Sequence, residues 1–126
     1  MAKDPNEWLR QADYDMETAD VMFSSARYFY AVFMCHLSIE KPLKGIYQLK
    51  LKDLPLKTHS LIYLLNTIGL TAPEHIGKFK VKLNEASVAT RYPEELEDLK
   101  SNYTKPVVNE IIVQSKEVLQ WIKTQL

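Results

Sequence analysis

Cysteine is almost absent: Cys35 is the only one in 126 residues, which excludes an internal disulfide and a zinc site built from cysteines. Glycine is scarce as well. Its three copies, Gly45, Gly69 and Gly77, stand alone, so no glycine-rich phosphate loop can be assembled from them. No apolar run approaches the roughly 18 residues needed to cross a bilayer, and the opening Met1-Ala2-Lys3-Asp4-Pro5-Asn6 lacks the apolar core of a secretory signal. No membrane association and a reducing cytoplasm are the resulting expectations. The length suits one domain over residues 1–126, able to bury about two-thirds of its unfolded surface.

Net charge is missing too, with 16 basic and 16 acidic side chains, yet the balance conceals an uneven distribution. Residues 1–40 are acidic (−4), residues 41–82 basic (+6) and residues 83–126 acidic (−2). The basic stretch comes from Lys41, Lys44, Lys50, Lys52, Lys57, Lys78, Lys80 and Lys82. It either attracts phosphate, in a nucleotide or along a nucleic acid, or offsets the acidic first segment as a solvated surface. Arginine, the usual phosphate fork, occurs only as Arg10, Arg27 and Arg91, which favours the second reading.

What is present is helical periodicity. Trp8, Ala12, Met16 and Ala19 recur at helical spacing against a face of Arg10, Asp13, Glu17 and Asp20, predicting an amphipathic helix over about 6–24. A second helix over about 28–49 has a wide apolar arc from Phe29 to Tyr47. Pro42 lies inside it and is expected to kink rather than break it, because the arc stays in phase on both sides. Thr58 is the expected cap of a short third helix that Gly69 closes, and Thr71 with Glu74 has capping-box spacing for a fourth over about 72–88. Thr104-Lys105-Pro106 then opens a last helix carrying Ile111, Val118 and Ile122 on one side. No strand alternation and no internal repeat appear. The expected fold class is all-α, an up-and-down antiparallel bundle of four to five helices whose first two form the long pair. The second helix has more apolar circumference than one core need hide, which points to a homodimer.

Chemistry is harder to find. His36, Glu40 and Lys44 form an i, i+4, i+8 line inside the apolar arc of the second helix. A carboxylate there must be paired, so the line is either a satisfied internal cluster or a polar grip on a ligand or partner chain. The histidines, His36, His59 and His75, are far apart in sequence and make no His-x-x-x-His pair, so no metal or cofactor is expected. Cys35 beside His36 is no dyad, because neighbours on a helix point about 100° apart.

Several segments together resemble the HEPN family, the higher eukaryotes and prokaryotes nucleotide-binding domain. They are Trp8-Leu9-Arg10-Gln11-Ala12 with Asp15 and Ala19, Tyr28-Phe29-Tyr30-Ala31-Val32-Phe33 leading to Ile39-Glu40-Lys41-Pro42-Leu43-Lys44, then Thr58-His59-Ser60-Leu61 and Ala89-Thr90-Arg91-Tyr92-Pro93. The resemblance covers about 90 residues; Pro42 stands where the family pattern usually has Ala. It implies a helical bundle that often dimerises and is frequently encoded beside a minimal nucleotidyltransferase in toxin–antitoxin-like prokaryotic systems, with nucleotide or RNA as ligand. His36, Glu40, Lys41, Lys44, His59, Arg91 and Tyr92 become the candidate ligand- or partner-binding residues. Many relatives are metal-independent ribonucleases with an Arg-x(4–6)-His motif. Here Arg10, Arg27 and Arg91 have no His at those offsets, and no catalytic residue is assigned. A non-catalytic binding protein is therefore favoured over the alternative, a ribonuclease toxin with a non-standard active site.

Overall fold

The computed structural model describes residues 4–53, 57–91 and 95–126, the side chains of Thr90 and Arg91 aside. Six helices and no strand occur among the described residues: α1 (Pro5–Ser24), α2 (Tyr28–Leu51), α3 (Leu61–Ile68), α4 (Glu74–Arg91), α5 (Leu96–Asn102) and α6 (Lys105–Lys123). The fold is an all-α helical bundle.

Helix α1 begins where Asp4 accepts a bond from the Asn6 amide and Pro5 supplies a preset first turn. It ends at Ser25, and Ala26 takes a positive φ of 61° to reverse the chain in a tight turn. α1 and α2 then pack as the most extensive helix pair. At Gly45 the two helices lie close together: a Cβ there would come within 3.2 Å of the Trp8 ring. A side chain at that point crowds Trp8, which has to give by a few tenths of an ångström. Ser38 Oγ donates to the Ala12 carbonyl at 2.9 Å, and Lys41 pairs with Asp15 at 2.8 Å, so polar contacts fix the register that apolar packing leaves loose.

Helix α2 runs through Pro42 without interruption. It touches α1, α3, α4, α5 and α6, and is the hub of the bundle. This corrects the argument that its wide apolar arc calls for a second chain: other helices of the same chain cover it. Val32, Cys35, Ile39, Leu43 and Ile46 are buried among Leu61, Leu64, Leu83, Ile111 and Ile122. Each such aliphatic side chain contributes about 1.5–3 kcal/mol by leaving water. The α6 stripe of Ile111, Val118 and Ile122 is buried as its spacing predicts.

Two helix starts need correction: α4 begins at Glu74, so Thr71 stands three residues before its first and is not its cap. Ser60, not Thr58, caps α3, its Oγ accepting from the Tyr63 amide at 3.2 Å, while Thr58 Oγ1 accepts from the Ser60 amide at 3.1 Å and shapes the turn before it. Between α4 and α6 the chain also forms α5, a helix of seven residues that buries its Leu99. One buried residue gives too little periodicity to be read as an element.

Candidate functional site

Glu40 sits on the inner side of α2 and is only 3% exposed. A carboxylate at that depth persists in ionised form only if cations and donors replace its lost water. Both oxygens are supplied. Oε2 lies 3.0 Å from Lys44 Nζ, one helical turn on, and Oε1 lies 2.9 Å from His59 Nδ1. His36, one turn back and fully buried, places Nδ1 3.6 Å from the same Oε1, beyond hydrogen-bond length but within electrostatic reach. The i, i+4, i+8 line is thus one cluster, which His59 joins from the segment before α3.

That segment is held from three sides. Thr58 turns it, Ser60 caps α3, and Asn84 Oδ1 of α4 accepts from the Leu61 amide at 3.0 Å. The Thr58-His59-Ser60-Leu61 sequence therefore has a local logic: the hydroxyl residues fix the backbone on either side so that His59 reaches Glu40. Its side chain remains 58% exposed, which leaves the imidazole edge away from Glu40 open to solvent. With Nδ1–H donating to the carboxylate, Nε2 is the ring atom available to a ligand or a proton.

Of the remaining predicted site residues, Lys41 does not join this cluster. Lys41 faces about 100° away from Glu40 and is engaged by Asp15 of α1. Arg91 ends α4 with its side chain outside the described residues, and Tyr92 lies outside them altogether. His75 is exposed in the first turn of α4, apart from the Glu40 cluster. Asp15 and Asn84 carry roles that residue patterns did not reveal, since both act across helix crossings; Asp15 showed itself only as a member of the resembling opening segment.

Cys35 is buried against α6. Burial pushes its thiol from 9.0 up to about 12, a rise that Asp20 reinforces and that a hydrogen bond with Ser115 and the charge of Lys116 only partly offset. Such a thiol is inert as a nucleophile near neutrality. Among the described residues no group of three or more His, Cys, Asp or Glu could hold a metal ion. Among them, too, no helix is long and apolar enough to cross a membrane.

A family model described as the HEPN domain matches residues 5–125. The crystal structure of ST0689, an archaeal HEPN homologue, is 26% identical with a TM-score of 0.79, the alignment covering 98% of each chain. TT1696 from Thermus thermophilus is 20% identical with a TM-score of 0.82, covering 97% of this chain and 98% of that one, a likeness of fold. A search of curated proteins gives no match.

Proposed function

The chain belongs to the HEPN domain family, and from that membership we propose that it is a single-domain, non-catalytic binding protein of the cytoplasm. In this reading it works as a homodimer, partners a minimal nucleotidyltransferase in a toxin–antitoxin-like system, and takes nucleotide or RNA as ligand. The observation that carries the non-catalytic reading is the saturation of Glu40. Its two oxygens are spent on Lys44 and His59 within the chain, which makes the cluster a clamp between α2 and the start of α3. The absence of an Arg-x(4–6)-His spacing in the sequence supports the same side. Side chains such as Tyr14, Val21, Val81 and Val88, exposed on α1 and α4, offer apolar surface to a second copy or to the nucleotidyltransferase.

One observation favours a second reading. A buried carboxylate that orients a solvent-facing imidazole is also how a general acid–base is held, and Glu40 with His59 has that form. In a ribonuclease of non-standard site, His59 would exchange the proton and a cation would stabilise the phosphorane charge.

The test incubates the purified protein, without metal, with single-stranded and structured RNA, beside the His59→Asn and Arg91→Ala variants. The binding reading expects no cleavage, and co-elution with a nucleotidyltransferase encoded next to it. Cleavage that disappears with His59→Asn or with Arg91→Ala overturns it in favour of the ribonuclease.

A further inference from the structure

The end of the bundle where α1 turns into α2 and α5 turns into α6 contains an open-mouthed cleft of about 690 Å³. That volume falls within the range of small-molecule sites. Among the described residues three cations line it, Arg27, Lys100 and Lys105, and none of those lining residues is a carboxylate. Lys100 shares its charge with Glu97 at 3.7 Å. Arg27 and Lys105 are exposed, and among the described residues no ion pair engages either. Unpaired cations facing into a cleft create a field that water only partly screens and that an anion relieves.

Aromatic rings stand beside these cations on both segments, Tyr28, Phe29 and Tyr30 after Arg27 and Tyr103 between Lys100 and Lys105. Tyr28 is half-buried, propped edge-on by Phe23 at a centroid distance of 5.5 Å. Tyr30 is 49% exposed with one side against Phe29, at 4.5 Å between centroids, so it is a braced ring with area still open. Tyr103 closes the far side, and burial raises its phenol above the ordinary value, keeping it a neutral donor. The first turns of α2 and α6 both begin here, neither with a side-chain cap nor with an acidic residue. Their free amides add to the positive field that the side chains establish.

We propose that this cleft binds a nucleoside phosphate, its phosphate between Arg27 and Lys105 and its base against Tyr30. The guanidinium of Arg27 suits two phosphate oxygens at once, and Lys105 supplies a point charge from the opposite helix. The aromatic rings explain why the ligand is not a bare anion: a planar ring stacks on a tyrosine face whatever its hydrogen-bond pattern. The assignment deepens the nucleotide-binding part of the function proposed above and rests on it, while placing the ligand away from the Glu40 cluster.

Titration calorimetry with adenosine 5′-monophosphate, adenosine and inorganic phosphate tests the two halves separately. The monophosphate is expected to bind at least about tenfold more tightly than either fragment, and more weakly as salt is raised. Arg27→Ala with Lys105→Ala should reduce binding about tenfold or more and remove most of its salt dependence. Tyr30→Ala should bring the monophosphate down to the level of inorganic phosphate, and Lys78→Ala on the outer face of α4 should change nothing. Circular dichroism of each variant separates lost binding from lost fold. Equal binding of nucleotide and phosphate, binding indifferent to all three cleft substitutions, or no binding while single-stranded RNA is still bound overturns the cleft assignment; the last leaves the binding-module reading standing. RNA cleavage with nucleotide binding intact does the reverse.

Discussion

Helix α2 carries ionisable groups at two places, and they have opposite fates. In its middle, from Cys35 to Lys44, charge is consumed internally: Glu40 by Lys44 and His59, Lys41 by Asp15, and the Cys35 thiol by burial beside Ser115. At its start, Arg27 and the braced tyrosines share an open cleft with Lys105, and none of the described residues lining it is a carboxylate. The same residue types are structural where their valences are filled and available where they are not. The contrast separates what holds the bundle from what the bundle can hold.

The largest effect should come from the interior. A thiol raised from 9.0 to about 12 has a thiolate population roughly a thousandfold lower near neutrality, so Cys35 should resist a disulfide reagent in the folded protein and react at once in denaturant. Because the folded value lies above the unfolded one, the stability from this group is complete below pH 9 and is lost as pH rises towards 12. Rapid labelling of native protein at about pH 8 would break the contrast. Next, Glu40→Ala strips the acceptor from a largely covered Lys44 and from His59 and should destabilise the protein by roughly 2–3 kcal/mol in denaturant unfolding. Glu40→Gln keeps the shape and one acceptor, and its smaller loss measures the charge alone.

A smaller effect belongs to the segment that delivers His59. Ser60→Ala removes the α3 cap and should cost about 1 kcal/mol, as should Asn84→Ala, which frees the Leu61 amide. The two should not add fully, since both hold one turn. The smallest change is expected at the cleft. Arg27→Ala and Lys105→Ala should alter stability by less than about 0.5 kcal/mol, because no described partner loses a bond. A large loss there would mean that these cations belong to the scaffold and not to a ligand.

The long helices were legible because α1, α2 and α6 each repeat apolar residues through several turns, and α3 was legible in outline because Thr58 before it and Gly69 after it are local signals. The cap moved by two residues since Thr58 and Ser60 are chemically interchangeable there, and only the backbone of the turn selects between them. Helix α5 was hidden by its brevity. Of the polar cluster, His36, Glu40 and Lys44 followed from helical spacing, whereas the ties of Lys41 to Asp15 and of Asn84 to Leu61 depend on how helices cross. The cleft was invisible for the same reason: Arg27 and Lys105 are 78 positions apart in sequence and come together only at the bundle end.

The most direct test follows backbone amide resonances of the labelled protein as adenosine 5′-monophosphate is added. The account predicts shifts concentrated at Arg27, Tyr28 and Tyr30 on one side and at Lys100, Tyr103 and Lys105 on the other, with Glu40, Lys44 and His59 unmoved. Shifts centred on His59 and its neighbours in the Glu40 cluster, with the cleft silent, would contradict it.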